Sequence, residues 1–445
     1  MKVKVLCRNP DDYLRETKRD LYKVPRNYDP NLHPFEAPRE YIRALNAVKL
    51  ERVFAKPFIG NLEGHKEGVS CIVKHPARLS SVASGSYDGE VRIWDLPQQA
   101  CIHSFQAHDG FLRGITFHSD GQKLITVGDD KTIKMWPSNA PKLGADVEPL
   151  NTILSRTVLM GVSHNYRKDV FATCGELCQI WEHSRNEPIH SYQWGVDSLH
   201  TIAFNPVESD LLVTCASDRS IILYDTRDTG PMRKLVMTLR TNQISWNPME
   251  PFVFTTANED YNLYSFDMRK LNAPFQVHCD HTSAVITVDY SPTGKEFVSG
   301  SYDKSIRIFE AAKGHSRDIY HTKRMQRLTS VAWSLDNKYI LSGSDEMNIR
   351  IWKARASEKL GVLRPREKAA FNYNESLKAK FAAHPHIRRI AHHRQVPKHI
   401  YNAQKEHRII KEKQKKKEAR RRAHSKPGSV PFISEKKKHI VKEQE

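Results

Sequence analysis

Four groups of side chains in this sequence have the types and spacing to do chemistry. His65 with Asp88, and again His108 with Asp130, pair an imidazole with a carboxylate, the combination that moves protons in general acid–base catalysis. His384, His386, His392 and His393 crowd imidazoles as a metal site would. The run KEKQKKKEARRR (411–422) offers a column of cations to phosphate groups. Lastly, IILYDTR ends at Arg227 and NLYSFDMR at Arg269, each placing an Arg two residues after an Asp that follows an aromatic. Such an Arg can pair within its own strand end or present a fixed charge to another protein.

A repeat decides the first of these. SGSYDGEVRIWD (84–95), VGDDKTIKMW (127–136), CASDRSIILYD (215–225), TANEDYNLYSFD (256–267), SGSYDKSIRIFE (299–310) and SGSDEMNIRIWK (342–353) share small residues, an acidic turn and an alternating apolar run. TCGELCQIWE (173–182) is a shorter seventh copy. Their aromatics, Trp94, Trp136, Trp181, Tyr224, Phe266, Phe309 and Trp352, fall 42, 45, 43, 42, 43 and 43 residues apart. That period with short alternating strands predicts an all-β fold, a seven-bladed WD-repeat β-propeller. In such a blade His65–Ser84–Asp88–Trp94 and His108–Thr126–Asp130–Trp136 form buried hydrogen-bond chains, so these residues read as architecture and not as catalysts. The third copy has Gly175 where the turn acid belongs, and the seventh has Glu346. Either VFAKPFIGN (53–61) or KLGVL (359–363) supplies the outer strand of the last blade. The first is favoured because it joins the chain's ends and leaves no open edge. The propeller then spans 53–353.

No P-loop, GxSxG, HExxH, kinase signature or paired-Cys zinc spacing occurs, so an enzyme is not expected, nor a cofactor or small-molecule substrate. Arg388, Arg389 and Arg394 oppose a cation beside the clustered histidines, and no metal is expected there. No apolar run reaches membrane-spanning length, and the N-terminus MKVKVLCRNPDDY has no apolar signal core. The seven cysteines are odd in number; Cys71, Cys174, Cys178 and Cys215 lie in apolar runs and read as buried thiols.

The net charge of +19 is unevenly placed. Residues 353–445 carry 27 Lys and Arg against 9 Asp and Glu, whereas 62–352 carry 30 against 34. A mildly acidic body with a basic tail points to a polyanion partner for the tail. Residues 1–52, broken by Pro25, Pro30, Pro34 and Pro38, read as an extended arm with a short helix from about Pro38 and with Tyr28, Phe35 and Tyr41 for packing. Residues 354–445 read as a basic α-helical extension, in which Ala370, Tyr373, Leu377 and Phe381 share a face after Pro365. Arg388, Arg389, Lys411, Lys413, Lys415, Lys416, Lys417, Arg420, Arg421 and Arg422 serve as RNA-phosphate contacts, as a nuclear import signal, or as a plain solvated face. Sparse aromatics make this stretch a positioning element and not a sequence reader.

The arm VPRNYDPNLHPFEAPREYIRALNAVKLERVFAKPF, the body segments DRSIILYDTR and NEDYNLYSFDMR, and the tail segments SEKLGVLRPREKAA, HPHIRRIAHHRQVPKHIY and HSKPGSVPFISEKKKH together resemble the Sof-type WD-repeat family over essentially the whole chain. The resemblance implies a nucleolar scaffold of the small-subunit processome. Its partners would be pre-rRNA on the way to 18S rRNA, small nucleolar ribonucleoprotein components and other processome proteins. Animal members also look like substrate receptors of cullin-4 RING ubiquitin ligases, whose aromatic-Asp-x-Arg boxes dock on the ligase's propeller adaptor. Tyr224, Asp225 and Arg227, with Phe266, Asp267 and Arg269, match that box on adjacent blades, with Tyr and Phe in place of Trp. Only these two copies join the acid to the Arg; Lys353-Ala354-Arg355 keeps the Arg alone.

Overall fold

A computed structural model describes residues 29–138, 147–195 and 198–444. The extended reading of the arm, with Pro25 and Tyr28, lies outside them. The described residues fall into two compact units: those up to 55 with 357–393, and those of 56–356 with 394–444.

The larger unit holds seven antiparallel sheets, which we number as blades in chain order from the one spanning Val69–Gln106. In blade seven the strand Phe58–Leu62 pairs with Ile349–Lys353, setting Phe58 opposite Trp352. The N-terminal segment therefore completes the last blade. Seven apolar clusters hold the unit together, and each draws on two consecutive blades. Val91 and Phe105 of blade one meet Leu112, Phe117 and Trp136 of blade two. The last of them joins Leu341 and Ile349 of blade seven to Val69, Val82 and Trp94 of blade one. A sheet with two apolar faces gains its stability only when both are covered, which a closed ring of blades achieves.

Polar ties cross the same seams. The residue after the first strand of a blade reaches a turn in the next one: His75 Nε2 lies 3.0 Å from the Gly121 carbonyl, and Asn165, Asn205 and Asn247 donate to the carbonyls of Ser209, Pro251 and Gly294. The turn acids have a local duty too. Asp88, Asp130, Asp218, Asp260 and Asp303 each accept the backbone N–H two residues on, over a residue of positive φ. Gly89 fills that strained position in blade one, whereas Lys131, Arg219, Tyr261 and Lys304 bear side chains there.

Past the propeller, Arg394 Nη1 donates to Asp280 Oδ2 at 2.9 Å and to Ser316. Burial raises the Asp280 carboxyl, but the Arg307 and Arg394 guanidinium groups outweigh it and hold it down at about 2. The helix Lys398–Ala423 begins there, with Ile400 buried, Gln404 donating to the Asp280 carbonyl and His407 edge-on to Tyr261. The chain then returns, and Ile440–Gln444 adds a fifth strand outside Pro231–Met237 of blade four.

Among the described residues the smaller unit contains three α-helices, α1 (Glu36–Val53), α2 (Pro365–Lys380) and α3 (Pro385–Ala391); the helix Lys398–Ala423 is α4. Ala44 and Val48 of α1 are buried with Leu377 of α2 and Ile387 of α3. Two expectations change. The arm's helix has 18 residues instead of being short, and the tail is not one helical domain: 357–393 joins the arm, and 394–444 joins the propeller unit and ends in a strand. The reason is burial, since α1 has one narrow apolar stripe that only helices from beyond the propeller cover. Of the face expected after Pro365, Leu377 is buried and Phe381 half-buried, while Tyr373 is exposed.

His65, His200 and His278 are pushed down to about 4, chiefly because burial opposes their charging. An unfolded chain protonates them from about pH 6.5 downward, so it binds more protons than the folded protein between those values. Their contribution to stability is complete above pH 6.5 and is lost as pH falls toward 4. A thermal melting series is expected to show the midpoint dropping through that interval, with His278→Gln flattening the slope.

Candidate functional site

The two Arg boxes end the third strands of blades four and five, Ser220–Asp225 and Asn262–Asp267. Their aromatics are core: Tyr224 packs with Ile202 and Leu212, and Phe266 stacks on Phe254. Both are fully buried, so neither ring forms part of a surface. In each box the Asp Oδ1 accepts the Arg backbone N–H at 3.0 Å, which turns the chain and points the guanidinium outward. Arg227 bonds Asp210 Oδ2 through Nε (3.0 Å) and Nη2 (2.7 Å). Asp210 is also held by Lys168 of blade three, and that ammonium, ahead of Arg227, keeps its carboxyl at about 2. Arg269 pairs with Asp267 through Nε (3.0 Å) and Nη2 (2.8 Å) and covers the Phe252 ring at 4.7 Å. Its guanidinium holds the Asp267 carboxyl below the ordinary value. The side chains of Arg227 and Arg269 are nevertheless 69% and 63% exposed. Held at one end and open at the other, they make a pre-oriented cationic pair on neighbouring blades.

The imidazole–carboxylate pairs are structural in geometry. His108 Nδ1 lies 2.8 Å from Asp130 Oδ2 and its Nε2 2.8 Å from Thr126 Oγ1, to which Trp136 Nε1–H donates at 3.0 Å. In blade one His65 Nε2 meets Ser84 Oγ at 2.6 Å and Trp94 donates to the same oxygen, but Asp88 leaves the chain. Its carboxylate serves Ser86 and the Glu90 N–H instead, so His65 Nδ1 has no partner. Blade six carries a third chain, His281–Asp303 at 2.9 Å and His281–Ser299 at 2.7 Å. Sequence reasoning passed over it because Phe309 offers no N–H and the expected Gly-His opening is Asp280-His281. None of these imidazoles faces open space where a substrate would sit.

The cationic residues divide between the units. Arg388 and Arg389 are exposed on α3, while Lys411, Lys413, Lys415, Lys416, Lys417, Arg420 and Arg421 are exposed on α4 beyond its anchored first turns. Lys415 pairs with Glu435 and Arg422 covers Phe432 at 4.8 Å, so the returning chain braces this stretch. Rings of His384 and His386 stack at 5.6 Å. A different group, His118, His164, Asp169 and His183, brings four potential metal-ligand atoms within 4.8 Å of one another. It draws on three separate stretches of chain across two blades, and no local spacing announces it.

Comparisons with known proteins follow this division. WD domain, G-beta repeat, matches residues 56–95, 99–137, 272–310 and 313–353, and the Sof1-like domain matches 354–440. The WD40 β-propeller domain of Doa1 superposes with a TM-score of 0.57 at 20% identity, covering 67% of this chain and 96% of that one. Fold and tail together define a WD-repeat propeller protein with a Sof1-like C-terminal region. Proteins called DDB1- and CUL4-associated factor 13 from Xenopus tropicalis and Homo sapiens are each 61% identical over 441 residues, 99% of both chains. The protein of that name from Dictyostelium discoideum is 45% identical over 90% of both. The chain belongs to this Sof1-like WD-repeat family of DDB1- and CUL4-associated factors 13.

Thr126 is fully buried and serves two partners at once. Thr126→Val keeps the shape and orphans the His108 and Trp136 nitrogens. At about 1–3 kcal/mol for each of the two orphaned buried groups, the loss is expected to be about 2–6 kcal/mol. Chemical denaturation of the variant checks it; a loss under about 1 kcal/mol would mean that the chain contributes little.

Proposed function

We propose that this protein is a substrate receptor of a cullin-4 RING ubiquitin ligase, without catalysis of its own. The exposed yet ion-paired Arg227 and Arg269 on adjacent blades carry the reading. The names of the relatives, which speak of association with DDB1 and CUL4, support it. Arg227 and Arg269 supply the charge that docks on the adaptor, and Asp225 and Asp267 shape the turns that present them. Tyr224 and Phe266 act from within by fixing the strand ends. Reversing both charges, Arg227→Glu with Arg269→Glu, is expected to abolish co-purification of the adaptor while leaving the circular dichroism spectrum intact. Persistence of the complex would mean that the boxes only brace their own blades.

A second role is favoured by the exposed cations of α4: a nucleolar scaffold of the small-subunit processome, with pre-rRNA and ribonucleoprotein neighbours at the tail. Contacts of that kind neutralise phosphates and weaken steeply with salt. Replacing Lys411, Lys413, Lys416 and Lys417 by Gln is expected to lower RNA affinity and flatten its salt dependence, each lost phosphate contact reducing the slope by about one. Depletion of the protein is expected to leave 18S precursors unprocessed; normal precursor levels would sink this second role.

A further inference from the structure

Four of the seams carry the tie described above, in which a His or Asn reaches a backbone carbonyl of the next blade. The seam between blades two and three is built differently. There His118 Nε2 meets a carboxylate, Asp169 Oδ1, at 2.5 Å, and two more imidazoles crowd the same oxygen. His183 Nε2 lies 3.3 Å from it and His164 Nε2 4.0 Å, while His164 and His183 face each other at 2.9 Å, nitrogen to nitrogen. The three rings sit with centroids 4.7–5.2 Å apart. Tetrahedral zinc with bonds of about 2.0–2.1 Å needs donors about 3.3 Å apart, close to the spacings found here.

We propose that His118, His164, His183 and Asp169 bind a divalent first-row cation, zinc foremost, that staples blade three to blade two. At His164 the outer contact suits the role. His164 Nδ1 donates to the Asn165 carbonyl at 2.6 Å, which turns a bare Nε2 lone pair toward the site. His118 Nδ1 now accepts the Asp120 N–H at 3.2 Å; on binding, its proton shifts from Nε2 to Nδ1, which has the Asp120 carboxylate 3.6 Å away as an electrostatic neighbour and not as a hydrogen-bond partner. His183 Nδ1 is buried without a partner. Four protein ligands leave no open position, so the site is structural and not catalytic. Need matches place, because blade three has Gly175 where the turn acid belongs, and its Trp181–Thr173 bond at 2.8 Å has no His to extend it.

The full chain, stripped with chelator and titrated with zinc alone, is expected to take up one ion and to melt several degrees higher. Cobalt in its place is expected to give the intense visible bands of a tetrahedral ion. His164→Gln with His183→Gln should remove the bands. Asp169→Asn, at a side chain 67% exposed and therefore safe for folding, should weaken zinc by about tenfold or more. No uptake by the wild-type chain overturns the proposal. So does uptake unaffected by Asp169→Asn, which would place the ion elsewhere, as at His384–His393.

Discussion

Every blade of this propeller has two apolar faces and can cover neither by itself. All seven buried clusters straddle a seam, and none belongs to one sheet. Stability is therefore a property of the seams, and the polar ties across them set how one blade is indexed against the next. The His–Thr–Trp chain of blade two shows the same logic inside a blade, where burial makes a satisfied network worth keeping and an orphaned atom costly.

Function enters where this repetition is broken. Seven third strands end alike, yet only two end in an Asp with an Arg two residues on, and those two are neighbours. Asp210 of blade four borrows Lys168 from blade three, so the pose of Arg227 depends on a neighbouring blade as well as its own. Arg269 depends only on Asp267 and Phe252. The two cations are thus anchored independently.

Legibility in the sequence followed the range of the interactions. The period of the terminal aromatics reports a local strand–turn–strand unit, and it located all seven blades; the family came from the resemblance carried by the arm and tail segments. Asp88 was misplaced because a turn acid can serve its turn with or without the chain: Asp130 and Asp303 do both, Asp88 the turn alone, and only the fold decides. The length of α1, the division of the tail and the strand Ile440–Gln444 depend on contacts between residues hundreds of positions apart, which leave no local spacing. Asp169 illustrates the limit: in sequence it is an ordinary turn acid, and its three imidazole neighbours come from two blades.

The strand Phe58–Leu62 has consequences for how the chain is made. It leaves the ribosome near the beginning, yet its partner Ile349–Lys353 is synthesised almost 300 residues later. Throughout that interval an apolar strand and the open face of blade one have no cover, while blades one to six assemble by local pairing. The last seam is then closed by a contact of very long sequence separation, the kind that folds slowly. A growing chain thus carries its own unpaired edge until the final blade appears, and it is in this window that a chaperone has something to hold.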